Sequence, residues 1–138
     1  MIEFEIFRQM GAISRTATTS MNQAAKKYQL ENNLFLYLIR IVENEGLTQS
    51  SLAELVRVDK TTLSRALRKL DERGYIDKVA GPANRKAKQL FPTEKGRESY
   101  QFLEKIEKEY VHEKMTKLTT MEQKELRRLL AKVDDECI

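Results

Sequence analysis

Thr48-Gln49-Ser50-Ser51-Leu52-Ala53-Glu54-Leu55-Val56-Arg57-Val58-Asp59-Lys60-Thr61-Thr62-Leu63-Ser64-Arg65-Ala66-Leu67-Arg68-Lys69-Leu70 is the stretch on which the fold turns. Thr48 is placed to accept the free amide protons of a helix start, and Leu52, Leu55 and Val56 form an apolar stripe at helical spacing. After a break at Arg57-Val58, Asp59 is a second N-cap. Leu63, Ala66, Leu67 and Leu70 then fall on one face of a second helix, which ends at Gly74, a residue able to turn left-handed without strain. The other face carries Lys60, Thr61, Thr62, Ser64, Arg65, Arg68 and Lys69, hydroxyls and cations suited to base edges and phosphates.

The residues beyond Gly74 add a hairpin. Tyr75-Ile76-Asp77-Lys78-Val79 and Lys88-Gln89-Leu90-Phe91 have strand character on either side of the polar, turn-rich Gly81-Pro82-Ala83-Asn84-Arg85-Lys86. Thr93 caps a further helix, with acids favoured in its first turn by the helix dipole. Two short helices, a hairpin with a cationic tip and a third helix define a mainly α fold, a winged helix-turn-helix.

From about Tyr28 to Ile106 the chain resembles the MarR family of bacterial transcription regulators. The resemblance is carried by Asp59-Lys60-Thr61-Thr62-Leu63-Ser64-Arg65, by Leu70-Asp71-Glu72-Arg73-Gly74-Tyr75-Ile76, by the basic wing and by Thr93-Glu94-Lys95-Gly96. The wing departs from the family pattern. Asn84-Arg85-Lys86 stands for Asp-Arg-Arg, and Pro92-Thr93 for Leu-Thr, so a carboxylate that would anchor a wing arginine is missing. The resemblance implies a dimer held by its N- and C-terminal helices, acting in most cases as a repressor. It also implies a small-molecule effector bound between the dimer helices and the winged domain.

A chain of 138 residues is one domain's worth, too small for a large enzyme with a deep site. With 33% charged residues, 41% apolar ones and little Pro or Gly, it suits a strongly helical soluble protein. No apolar run reaches membrane-span length, and Met1-Ile2-Glu3-Phe4-Glu5 lacks a basic start before an apolar core, so a cytoplasmic location and no membrane partner are expected. The single cysteine, Cys137, excludes an internal disulfide and a multi-cysteine metal site.

Charge is concentrated where the helix-turn-helix lies. Arg57 to Arg97 holds twelve Lys or Arg against five Asp or Glu, a net +7, and the rest of the chain carries −3. A positive block that coincides with this motif is the footprint of a polyanion, here double-stranded DNA.

Both ends read as helices. Ile6, Met10, Ile13, Ala17, Met21, Ala24 and Tyr28 form a long seam; a second helix runs from Asn32 or Asn33 through Val42, with Leu34, Leu38, Ile41 and Val42 inward. Tyr100, Leu103, Ile106, Tyr110, Val111 and Met115 form another stripe. Thr119 or Thr120 caps a last helix whose buried face is Leu126, Leu129, Leu130 and Val133. So many seams exceed what a small winged domain covers, and a second copy is the natural partner. The expected organisation is an N-terminal dimerisation helix at 1–30, the winged helix-turn-helix at 31–98 and C-terminal dimerisation helices at 99–138, packed as one unit.

In such a motif the N-terminal part of the second helix enters the major groove, which places Lys60, Thr61, Thr62, Ser64 and Arg65 near bases or phosphates. Arg65 is the leading base reader, because its fork spans guanine O6 and N7. Arg68 and Lys69 are placed to clamp backbone. Gln49 and Ser50 open the preceding helix, where amides and dipole favour a phosphate, and Arg85 and Lys86 are placed for the adjacent minor groove. Lys69 and Lys88 are as easily solvated as bound.

No catalytic constellation or cofactor motif is found. His112, between Tyr110-Val111 and Glu113, has no partner in the sequence, and Gly81 and Gly96 are isolated turn glycines. Met10, Met21, Tyr28, Phe35 and Tyr37 suit either a ligand pocket or plain core. An alternative class is a winged-helix module that binds a protein. Salt separates the two, since binding that neutralises phosphates weakens steeply as salt rises.

Overall fold

The order of elements follows from where the caps fall. α1 spans Ile2–Ala25, and a single 3-10 turn, Lys26–Tyr28, ends it; α2 is Leu34–Glu43, α3 Gln49–Val56, α4 Lys60–Glu72, α5 Glu94–Met115 and α6 Thr120–Val133. Strands β1 (Ile76–Ala80) and β2 (Lys88–Pro92) pair antiparallel, Ile76 opposite Pro92 and Ala80 opposite Lys88. This computed structural model describes residues 1–82 and 87–134, so Asn84, Arg85, Lys86 and Cys137 lie outside the described residues. By packing, the chain divides into Met1–Ile106 and Glu107–Ile138.

In the first unit α2 is the centre, packed against α1, α3, α4 and β2. Helical spacing turns Leu34, Leu38, Ile41 and Val42 inward; the structure also buries Phe35, Tyr37 and Ile39, and covers Val42 only in part. A helix enclosed on several sides has no single apolar stripe, which is why Leu34-Phe35-Leu36-Tyr37-Leu38-Ile39 is nearly continuous. Around it Leu30, Leu52, Leu63, Leu67, Leu70, Ile76, Leu90 and Leu103 are sealed from solvent. Truncating any of these leucines to Ala costs about 2–5 kcal/mol. Leu55, expected in the α3 stripe, is instead exposed, and Ala53 takes the inward position.

Entry to α2 is set by polar pairing. Asn33 sits at φ 67°. Its amide donates to Asn22 Oδ1 and its Oδ1 accepts from Asn22 Nδ2, both at 2.9 Å. Asn tolerates the left-handed region better than most residues, and the reciprocal pair holds it there.

Tyr75, expected as the first strand residue, instead closes the end of α4, its amide donating to the Leu70 carbonyl at 2.9 Å. Gly74, at φ +79°, makes that turn. The wing has a third partner that local pattern does not reveal. Gly46 N donates to Leu90 O at 2.8 Å, Leu90 N to Leu47 O at 2.9 Å, and Thr48 bridges Gln89. The hairpin root is thereby pinned to the segment that enters α3.

Of the α1 seam, Met21 is buried, whereas Ile6 and Ile13 stand open, and Ala25 is buried rather than Ala24. In the second unit the Thr119 side chain accepts from Glu122 N at 3.1 Å while Glu122 Oε1 accepts from Thr119 N at 2.9 Å, a complete capping box. Leu126, Leu129, Leu130 and Val133, expected as a buried face, are 38–55% exposed in the single chain, as are Val111 and Met115 of α5 at 48% and 36%. Among the described residues no helix is long and apolar enough to cross a membrane.

Candidate nucleic-acid interface

Both helices of the motif start where the sequence places a cap. Thr48 Oγ1 accepts from Ser51 N at 3.1 Å and Asp59 Oδ1 from Thr62 N at 2.9 Å. Losing a threonine cap such as Thr48 typically costs about 0.5–2 kcal/mol. The Thr62 hydroxyl donates to Asp59 Oδ2 at 2.7 Å. These two bonds, the amide first and the hydroxyl second, hold the Asp59 carboxyl below its usual range. Behind it, burial pushes the Tyr37 phenol up, and the nearby Asp59 charge adds to the rise. Asp59 is therefore an anion committed to the N-terminus of α4, where amide dipoles offset its charge.

The turn between the helices uses Arg57 at φ 55°, with Val58 N donating to Ala53 O at 3.2 Å. A left-handed residue there swings the chain so that α4 crosses α3. Leu63, Ala66, Leu67 and Leu70 then face the core, which leaves Thr61, Arg65 and Arg68 pointing outward, with Lys60 and Ser64 leaning toward α3. Gln49 Nε2 donates to Ser64 Oγ at 3.3 Å across the junction.

A groove follows from this arrangement. Gln49, Lys60, Thr61, Ser64, Arg65 and Arg68 line it, and a second concavity beside it is lined by Thr48, Gln49, Ser50, Lys60, Ala87 and Lys88. Thus the structure brings together seven of the expected contact residues: Gln49, Ser50, Lys60, Thr61, Ser64, Arg65 and Arg68. Thr62 and Lys69 are exposed but line neither concavity, because helical spacing puts both on the flank of α4 away from Lys60 and Ser64; the Thr62 hydroxyl hydrogen is also donated to the Asp59 cap. Arg85 and Lys86 lie outside the described residues. Lys88, expected to be solvated as readily as bound, joins the set. Its place depends on the Thr48–Gln89 bridge, a long-range pairing with no local signal.

Among the described residues, Lys60, Arg65, Arg68 and Lys88 form no ion pair, unlike Arg97, which pairs with Glu45, and Arg128, which pairs with Glu125. Free cations around a concave, hydroxyl-bearing surface, next to the amide-rich start of α3, make a strongly anion-attracting surface. Among the described residues no group of His, Cys, Asp or Glu could hold a metal ion. His112 lies on the other unit, in a concavity with Glu107, Lys108, Val111, Met115, Thr116 and Gln123.

The chain is similar to known proteins in sequence and in fold. The MarR family model matches residues 30–88. Over 129 residues the chain is 37% identical to the uncharacterized HTH-type transcriptional regulator YybA of Bacillus subtilis (strain 168), covering 94% of this chain and 86% of that protein. The crystal structure of the transcriptional regulator SlyA is similar, with a TM-score of 0.87 and 32% identity, over 93% of this chain and 90% of that one. So is a putative MarR family transcriptional regulator from Listeria monocytogenes, complexed with 26mer DNA, with a TM-score of 0.86 and 37% identity over 92% and 85% of the two chains. The chain belongs to the MarR family, whose members are transcriptional regulators and not enzymes.

Proposed function

We propose that this chain is a sequence-specific DNA-binding regulator that acts as a homodimer on an inverted repeat. The observation that carries the reading is the outward face of α4, where Lys60, Thr61, Arg65 and Arg68 stand unpaired over a groove shared with Gln49. In this reading Arg65 meets a base edge, Thr61 a thymine methyl or a phosphate, and Lys60, Arg68, Lys88, Arg85 and Lys86 neutralise backbone. The DNA complex of the Listeria monocytogenes relative supports it.

The dimer is supported by apolar surface that a single chain leaves open on both units: Phe4, Phe7 and Ile13 on α1, and Leu129, Leu130 and Val133 on α6. Residues 1–30 and 99–138 are assigned to dimerisation and 31–98 to DNA binding. Two-fold symmetry would set the two α4 helices about one DNA turn, or a small multiple, apart. A repressor role and release by a small-molecule effector follow from the family resemblance; a cytoplasmic location fits a DNA-binding regulator.

The test is selection of duplexes from a random pool by the purified protein, followed by titration with salt. An inverted repeat and a steep loss of affinity with salt are the expected results. A salt-independent interaction with a protein, and no selected duplex, would assign the face to protein binding instead. Light scattering should give a dimer, and Leu129→Glu should shift it toward monomer. A stable wild-type monomer at micromolar concentration would rule the dimer out.

A further inference from the structure

A base-reading arginine works only if its helix is held at a fixed angle, because a two-point contact tolerates little displacement. The N-terminal half of α4 is fixed by the Asp59 cap and by Gln49. Its C-terminal end is held by a cluster that the interface does not use.

The chain leaves α4 through Arg73 and Gly74. Arg73 Nη1 donates to the Gln29 carbonyl at 2.5 Å, and the Tyr75 hydroxyl donates to the Tyr28 carbonyl. Both acceptors lie at the end of the 3-10 turn that follows α1, where carbonyls run out of helical partners. From the first turn of α5, Lys95 donates to the Arg73 carbonyl at 2.7 Å, and its ammonium lies 4.4 Å from the centre of the Tyr75 ring. Burial raises the Tyr75 phenol above its ordinary value, and the buried Ser99 side chain beside it works against that rise. The Tyr75 carbonyl accepts from Thr93 N at 3.0 Å. Tyr75 is 3% exposed, so its ring would serve the core equally well as phenylalanine; the hydroxyl is what joins the end of α4 to the end of α1.

We propose that Tyr75, together with Arg73, is a positioning residue that ties the C-terminal end of α4 to the end of α1 and so sets the angle at which Arg65 is presented. This rests on the DNA-binding reading above. Its consequence is that a displacement of the end of α1 passes to α4 through two hydrogen bonds, at Tyr28 and Gln29.

Tyr75→Phe tests it, with binding measured on a duplex selected from a random pool by the wild-type protein and on a scrambled duplex of the same composition. Affinity for the selected duplex should fall about 2- to 10-fold, the range for one neutral hydrogen bond. Affinity for the scrambled duplex and the slope against salt should not change, because no phosphate contact is lost. Hydrogen exchange of the free protein should quicken in residues 69–75 and 26–30. Equal loss on both duplexes, or unchanged exchange in those segments, overturns the proposal. If Tyr75→Phe fails to fold, Arg73→Met removes the second tie at a partly exposed residue, and the same fall in the selected-to-scrambled ratio is required. Should the wild-type protein select no duplex, the DNA-binding reading fails, and the exchange comparison alone decides whether the tie exists.

Discussion

Gln49 donates to Ser64 across 3.3 Å, which fastens the first residue of α3 to the middle of α4 and makes one surface of two helices. Gln49 is also shared by both concavities. Gln49→Glu would set a carboxylate among Lys60, Arg65 and Arg68. Affinity for every duplex should then fall, most in dilute salt and less as screening rises. Titrations at several salt concentrations check this; a loss confined to one sequence would make Gln49 a base reader.

Arg65 and Arg85 should behave differently. Arg65→Ala should cost about 1–3 kcal/mol on the preferred duplex and flatten discrimination there. Arg85→Ala should weaken all duplexes evenly and lower the salt slope by about one. Binding curves on selected and scrambled duplexes decide between the roles. An equal loss on both for Arg65→Ala would remove it as the base reader.

Acid should weaken the start of α4. The folded Asp59 carboxyl titrates below its ordinary value of 3.8, so its contribution to stability is fully present above that value and is lost as pH falls below it through the lower folded pKa. Asp59→Asn keeps a capping oxygen but cannot titrate. Between neutral pH and pH values below about 4, wild type should therefore lose more thermal stability than Asp59→Asn. Parallel Tm curves for the two proteins would contradict the assignment.

Two glycines should fail for different reasons. A Cβ on Gly96 would meet the Tyr75 carbonyl oxygen at 2.3 Å, whereas one on Gly74 meets nothing within 4 Å and suffers only from φ +79°. Gly96→Ala should cost about 1–3 kcal/mol by overpacking. At Gly74, Asn should be better tolerated than Ala, because Asn accepts the left-handed region. Urea denaturation measures both; if Gly96→Ala were neutral, α5 would not be held against Tyr75 as closely as described.

The sequence alone determined what depends on neighbours three or four residues away. Thr48 and Asp59 cap the helices that follow them, Thr119 does so of the two adjacent threonines the sequence offers, and Thr93 Oγ1 accepts from Gly96 N at 3.1 Å as a capping residue does. Gly74 ends α4, and the hairpin runs within a residue of its expected bounds. Caps, turns and alternation are local physics, so they can be read before the chain is folded. The cationic face of α4 was legible for the same reason, since helical spacing alone separates it from Leu63, Ala66, Leu67 and Leu70. Tertiary structure decided whatever depends on the other elements. Phe35, Tyr37 and Ile39 are buried because α2 is covered on several sides, and Leu55 is exposed because nothing packs over it. Lys88 reaches the interface through a bridge spanning from Thr48 to Gln89, and Tyr75 became a tie rather than a strand residue through a carbonyl at Tyr28. Burial and long-range hydrogen bonds depend on which segments the fold brings together, and no window of neighbouring residues contains that information.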